Sequence, residues 1–523
     1  MGELVVRQVH VVPLDAAPSA PGTEPVDLLL RDGRLTAVGP GLPRPAGAEV
    51  LEADGRWVVP GLWDHHVHAG QLGATRGRLD LSAARSPQEA AQRVRERLAA
   101  ARPLPATGVL TGWGHRADRW AQAPTRALLD EASPRVPVVL ISADGHHGWL
   151  NSTALTLLGG PYDRSGLVRE AEWFALYDRL NHLPGAQETT EQGVREVVAE
   201  AHRLGIVGIT DLELGRPWVD WPRRLAEGVG PLRVRTGVYV PGLEEVEAAG
   251  LRTGDALPGT EGLVRMGPLK LFGDGSLGTR TAWCRAPYAD APGRDAEGRG
   301  EGSAGGSSVA GAPQLTSAEL HDLLGRARTH GLEVAVHAIG DAAVGQALAA
   351  LAATGVVGSV EHAQLVGEEE LARWRGLPVR AGVQPAHLLD DRSAAERAWP
   401  DRTGQVLPLR RLVDAGVELA MGSDAPFGTP DPWLAVAAAV HRARPGEDPW
   451  HPELALTPRE ALAASVDGQR VRAGARGDLV LLDADPLGAD LAAPTSSDLA
   501  ARLERVGVAA TVVAGRVVHQ REG

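Results

Sequence analysis

Near the N-terminus, apolar and polar positions alternate through "ELVVRQVHVV", "VDLLLRDGRLTAVG" and "EVLEADGRWVVPG", with Pro and Gly between the runs. A period of two is the pattern of short half-buried strands. The segments "GDLVLLDADP" (477–486) and "ATVVAGRVVHQ" (510–520) repeat it near the C-terminus, so both ends are expected to assemble one small β-sandwich. Between them, short apolar runs alternate with helix-like stretches, which predicts βα units and a parallel sheet. Candidate strands are 57–64, 207–213, 233–240, 266–272, 332–338, 357–363, 379–385 and 417–425. Eight is the number that closes a (β/α)8 TIM barrel, so the predicted fold class is α/β.

That count requires an insertion at about 70–200, after the first strand, with its own helix in "SPQEAAQRVRERLAAA" and a strand-like "VPVVLISADGHHGW". The expected organisation is residues 1–56 as the first part of the sandwich, 57–455 as the barrel with its insertion, and 456–523 as a last helix and the rest of the sandwich. The Gly/Ser-rich stretch 297–313 is expected to be a surface loop before a helix at 316–330. "TPRE" at 457–460 has the form of a capping box with Pro at the first helical position.

Composition narrows the function classes. With 523 residues, 43 % hydrophobic and 23 % charged, the chain is of ordinary globular make-up and too long for one core. A net charge of -13 argues against nucleic acid or an anionic membrane as partner. The N-terminus has no signal-peptide pattern and no apolar run reaches a membrane span, so a cytoplasmic enzyme is the default expectation. The single cysteine, Cys284, excludes an internal disulfide and is expected to be a small buried residue. Of the 53 lysine and arginine residues only one, Lys270 in "GPLKLFGDGS", is lysine. Its amine can lose a proton when buried, whereas guanidinium stays charged.

The polar residues fall at particular places on the predicted strands. His66 and His68 in "DHHVH" are two apart, which puts both on one face of the first strand. Lys270 lies toward the end of the fourth strand, His337 of the fifth, His362 of the sixth and Asp424 of the eighth. Barrels of this kind build their active sites at those ends, and four histidines, a lysine and an aspartate converging there suggest a metal centre.

This ordered set resembles the amidohydrolase superfamily. "VPGLWDHHVH", "GHHGWLNSTAL", "KLFGDGSLGTRTA", "HAIGDAAV", "EHAQLV", "QPAH" and "GSDAPF" are similar to landmarks of the family-3 amidohydrolases, which include N-substituted formamide deformylase. The chain departs from that pattern at His65, where a small residue is common. The resemblance implies two divalent metal ions, zinc being the expected metal. His66, His68 and Asp424 would hold one ion and His337 and His362 the other, with Lys270 between them as a carbamate formed with carbon dioxide. Arginine has no amine to carbamylate.

It further implies hydrolysis of non-peptide carbon–nitrogen bonds, in linear or N-substituted amides, by a metal-bridging hydroxide. Asp424 would act as base and then acid, with His146 and His387 facing the substrate carbonyl or oxyanion. Asp274, Arg280 and Trp283 are candidates for substrate contact or for anchoring their loop, and His147 is read as a structural loop histidine. Trp63, Trp149, Trp283 and Trp433 beside these motifs favour a substrate with an apolar or aromatic portion. The alternatives are a cyclic amide or lactone hydrolase, a deaminase on the same site, or a catalytically silent scaffold. The expected partner is a small-molecule substrate, and a homo-oligomer is left open.

Overall fold

The computed structural model describes residues 2–15, 24–100, 103–117, 120–142, 147–161, 165–291, 309–488 and 495–521. By internal packing the chain divides into two compact units, residues 1–68 with 198–523, and residues 69–197.

The first unit holds the barrel. Its eight strands are Leu62–Val67, Ile206–Asp211, Arg233–Tyr239, Val264–Phe272, Val334–Ala338, Gly358–His362, Val379–Val383 and Leu419–Met421. They pair in parallel in chain order. The ring closes between the eighth and first strands, where the Asp424 N–H donates to the His66 carbonyl at 2.7 Å and the His68 N–H to the Ala425 carbonyl at 2.9 Å. Strands such as "VAVHA" and "GSVEH" are almost wholly buried, as parallel strands covered by helices must be. The helices Pro217–Ala226, Val240–Ala248, Ser317–His330, Asp341–Thr354 and Glu368–Trp374 follow the second to sixth strands, and Pro432–His441 follows the eighth. Thr316 caps its helix with a reciprocal box to Glu319. Thr457 and Glu460 form the box read in "TPRE".

One strand differs from its expectation. The run 57–64 is two strands, because Trp57–Pro60 pairs with Leu479–Leu482 in the sheet of the termini and only Leu62–Val67 enters the barrel. Gly61 makes the break: its N–H donates to the Asp478 carbonyl, and a Cβ there would lie 2.3 Å from Val207 Cγ2. Trp57–Pro60 then continues, through Leu4–Val11, to Val26–Arg31 and Arg34–Gly39, with Val508–Val513 and Arg516–Gln520 beyond Leu479–Leu482. The first strand changes partners at a bulge where Gln8 has φ 54, pairing with Glu49–Glu52 before it and with Trp57–Val58 after it. Leu4, Leu28 and Leu51 share one core with Leu479, Leu481 and Val512, so neither end buries its apolar face without the other.

The second unit is built on a five-stranded sheet, in the order Leu167–Arg169, His147–Leu150, Val138–Ser142, Leu110–His115, Leu79–Asp80. "VPVVLISADGHHGW" is thus two antiparallel strands, and Ser86 caps the helix Pro87–Ala99. Most of the Gly/Ser-rich stretch, 297–308, lies outside the described residues.

Two glycine substitutions test this account of the barrel. A Cβ on Gly422 would sit 2.5 Å from the His66 nitrogen and 2.7 Å from its Cβ, at the closing seam. Gly325, inside the helix Ser317–His330, has nothing within 4 Å of its added Cβ. Gly422→Ala is expected to destabilise by about 1–3 kcal/mol from overpacking. Gly325→Ala is expected to stabilise by roughly 0.5–1 kcal/mol through helix propensity. Opposite shifts of the calorimetric melting temperature are the expected result.

Candidate metal centre

The end of the first barrel strand alternates its side chains across the sheet. Asp64, His66 and His68 share one parity, and His65 points the other way into a cavity of about 630 Å³ that it lines with Arg235, Ser359, Glu361 and Arg380. The Asp64 carboxylate accepts hydrogen bonds from the Ser423 N–H at 2.9 Å, the Ser423 hydroxyl at 2.5 Å and the His66 N–H at 3.1 Å. It therefore pins the histidine-bearing end of the first strand to the turn that carries Asp424.

His66, His68 and Asp424 form a buried cluster whose ligand atoms all lie within 4.8 Å of one another. Asp424 Oδ1 is 3.4 Å from His66 Nε2 and 3.2 Å from His68 Nε2. The other two imidazoles continue the arc. Ring centroids are 5.5 Å apart for His66 and His68, 5.0 Å for His66 and His362, and 4.4 Å for His362 and His337. Lys270 is 1 % exposed, and its Nζ lies 3.5 Å from His66 Nε2. The structure thus brings His66, His68, Lys270, His337, His362 and Asp424 to one place at the C-terminal end of the barrel.

Hydrogen bonds set the tautomer of three of these rings. His66 Nδ1–H donates to Glu361 Oε2 at 2.7 Å, which leaves its lone pair on Nε2. His362 Nδ1 bonds Gln384 Oε1 at 3.0 Å and likewise keeps Nε2 free. His337 donates from Nε2 to the Gly275 carbonyl at 3.0 Å, so its lone pair is on Nδ1. Such outer partners are how proteins orient metal-binding imidazoles. Burial lowers the pKa of His66 and His362 and pushes His337 down to about 3, so the rings are neutral at ordinary pH. Burial lowers that of the Lys270 amine too, against the opposing pull of Glu361 and Asp424. It would raise the Asp424 carboxyl, but the imidazoles of His66, His68 and His362 around it hold it well below the ordinary carboxylate range. Glu361, also against its burial, is held down to about 2 by His66, Lys270 and Ser359.

Backbone strain concentrates here as well. His362, Ala363 and Asp424 have φ of 71, 42 and 57, a region that costs a non-glycine residue of order 1–3 kcal/mol. Neutral imidazole nitrogens and an ionised carboxylate converging in a buried, strained site are a donor set that fits divalent transition-metal ions.

The remaining candidates lie as follows. His387 ends the short 3-10 turn Pro385–His387 with Nε2 buried and without a hydrogen-bond partner among the described residues, and a Cβ on Gly428 would lie 2.8 Å from that nitrogen. It therefore packs against the turn bearing Asp424. His146 lies outside the described residues. Asp274 is fully buried and accepts backbone N–H bonds from Trp283, Ile339 and Gly340 at 2.9, 3.0 and 2.8 Å, tying the loops after the fourth and fifth strands together. Arg280 pairs with Asp290, its Nε 2.9 Å from Oδ1. Trp283 lines a groove with Cys284, His321 and Gln346, and burial pushes the Cys284 thiol up to about 12, away from nucleophilic or ligating use. His147 is buried in a strand of the second unit, its ring 5.1 Å from that of His115. Asp64, Glu361 and Gln384 are not singled out by the sequence, although two are carboxylates within two residues of candidate ligand histidines in "DHHVH" and "VEHAQ".

A profile of the amidohydrolase family matches residues 49–519. YtcJ of Bacillus subtilis is 27 % identical over 520 residues, covering 90 % of this chain and 91 % of its own. N-substituted formamide deformylase of Arthrobacter pascens is 26 % identical over 545 residues, covering 93 % and 94 %. Among solved structures, an uncharacterised metal-dependent hydrolase from Pyrococcus horikoshii superposes with a TM-score of 0.78 at 26 % identity, over 93 % of this chain and 98 % of the other. With the match to the family running through nearly the whole chain and through every strand that bears a candidate ligand, the protein belongs to the amidohydrolase family of metal-dependent hydrolases.

Proposed function

We propose that this protein hydrolyses linear or N-substituted amides at a dinuclear centre, with His66, His68 and Asp424 toward one ion, His337 and His362 toward the other, and carbamylated Lys270 between them. The observation that carries the reading is the chain's sole lysine, buried with a weakened hold on its proton among four imidazoles. A neutral amine is what reacts with carbon dioxide, and the carboxylate so formed suits a bridge between two cations. Imidazole and carboxylate donors favour zinc, and also accommodate manganese, iron or cobalt. Bound there, such ions would acidify water and polarise the scissile carbonyl.

The chain's own residues supply the proton transfers. The Asp424 carboxylate, held ionised, takes a proton from the attacking water as its oxygen bonds to the carbonyl carbon. It returns that proton to the departing nitrogen as the carbon–nitrogen bond breaks, giving a carboxylic acid and an amine. His387, beside the Asp424 turn, is assigned to the carbonyl oxygen, and His146 is assigned to it by family resemblance. Glu361 keeps His66 in the tautomer with its lone pair on Nε2. Nearly end-to-end similarity to N-substituted formamide deformylase supports formamides as the first substrates to test. Among the described residues no helix is long and apolar enough to cross a membrane.

Protein expressed with metal supplementation is expected to carry close to two equivalents of divalent ion by elemental analysis. It is also expected to release amine from N-substituted formamides or N-acyl amines; activity confined to cyclic amides or to loss of ammonia would redirect the assignment. Asp424→Asn keeps an oxygen donor but loses the proton acceptor, so turnover should drop by ~10²–10⁴-fold with most metal retained. Glu361→Gln removes the charge opposite His66 and is expected to weaken metal binding about 10–100-fold, measured by competition with a chelator.

A further inference from the structure

We propose that Phe272 and Phe427 are two walls of an apolar substrate pocket over the metal centre, and that the amides this protein hydrolyses carry an extended alkyl or aryl substituent. The proposal rests on the metal-centre reading above and names the substrate class of that site.

Four large apolar side chains stand exposed at the C-terminal ends of barrel strands. Leu214 follows the second strand at 57 % exposure, Val240 the third at 42 %, Phe272 ends the fourth at 37 %, and Phe427 follows the eighth at 66 %. Isolated exposed apolar residues need no explanation, but the two phenylalanines are placed against the ligands. The Phe427 ring meets His68 edge-on, centroids 5.8 Å apart at 81°. The Phe272 ring lies 5.4 Å from that of His337 and stacks on Tyr239 at 5.7 Å, with Lys270 Nζ 5.8 Å from its centroid. The rings therefore stand beside the first and last members of the imidazole arc. They are two of only three phenylalanines in the chain.

Each is held from below. Phe427 N–H donates to the Asp424 carbonyl at 2.9 Å, and Tyr239, on which Phe272 stacks, is fixed by its hydroxyl on the Leu212 carbonyl at 2.8 Å. Rings fixed at the base and bare toward solvent offer apolar area to a ligand at little entropic cost. Of the tryptophans beside the same motifs, Trp63, Trp149 and Trp433 are buried, and Trp283 is half-buried along the groove with His321.

The test is calorimetric titration of the metal-loaded full chain with n-alkyl hydroxamic acids from acetyl to octanoyl, probes that chelate metal whether or not the protein hydrolyses amides. In the unaltered protein the dissociation constant is expected to fall by about 3- to 4-fold per added methylene until the pocket ends. Phe427→Ala and Phe272→Ala should flatten that dependence while leaving acetohydroxamate affinity and metal content unchanged, and Phe427→Leu should restore most of it. A flat series in the unaltered protein, equal slopes in the variants, or loss of metal from them would overturn the proposal, the last because the rings would then only shield the imidazoles. A rising series without amide turnover would retain the walls and remove the amide reading; turnover with a flat series would do the reverse.

Discussion

The site depends on one seam. Where the eighth strand meets the first, the Asp424 amide donates to the His66 carbonyl at 2.7 Å and the Asp64 carboxylate grips Ser423 through both its N–H and its hydroxyl. These contacts close the sheet into a barrel and at the same time set Asp424 Oδ1 within 3.4 Å of two imidazoles. Closure and ligand geometry are therefore one structural event. It needs Gly422, where no side chain fits, and a left-handed backbone at Asp424 that the surrounding hydrogen bonds must hold.

Burial then determines the chemistry available. The imidazoles of His66, His337 and His362 and the Lys270 amine, removed from water, resist protonation, while Asp424, hydrogen-bonded by His68, and Glu361, hydrogen-bonded by His66 and Ser359, stay ionised. A site of this kind is poor in positive charge and rich in lone pairs. In the proposed reading that imbalance is what two cations relieve, and what makes the one lysine of an arginine-rich chain irreplaceable.

Much of this was legible in the sequence because the relevant patterns are local. Eight apolar runs of strand length, interleaved with helical stretches, read as a barrel, and the ligand types sit at strand ends whatever the exact boundaries. The break at Gly61 was not legible, since "WVV" and "LWD" are equally apolar and only the pairing with Leu479–Leu482 assigns the first to another sheet. Asp64, Glu361 and Gln384 were passed over because their roles arise from contacts between strands distant in sequence. A tryptophan near a motif need not face the site: Trp63 is 4 % exposed, its ring covered by the Arg235 and Arg476 guanidinium groups at 4.3 and 5.1 Å. Phe272 and Phe427 are the exposed rings beside the candidate ligands, and composition does not distinguish a core ring from a wall.

The central claim, that Lys270 is retained for a reaction of its amine, is tested most directly by carbon-13 NMR of the native metal-loaded protein equilibrated with labelled bicarbonate. The account predicts a protein-bound carbamate resonance that disappears in Lys270→Arg, together with loss of metal from that variant. Full metal content and activity in Lys270→Arg, with no carbamate signal in the unaltered protein, would contradict it.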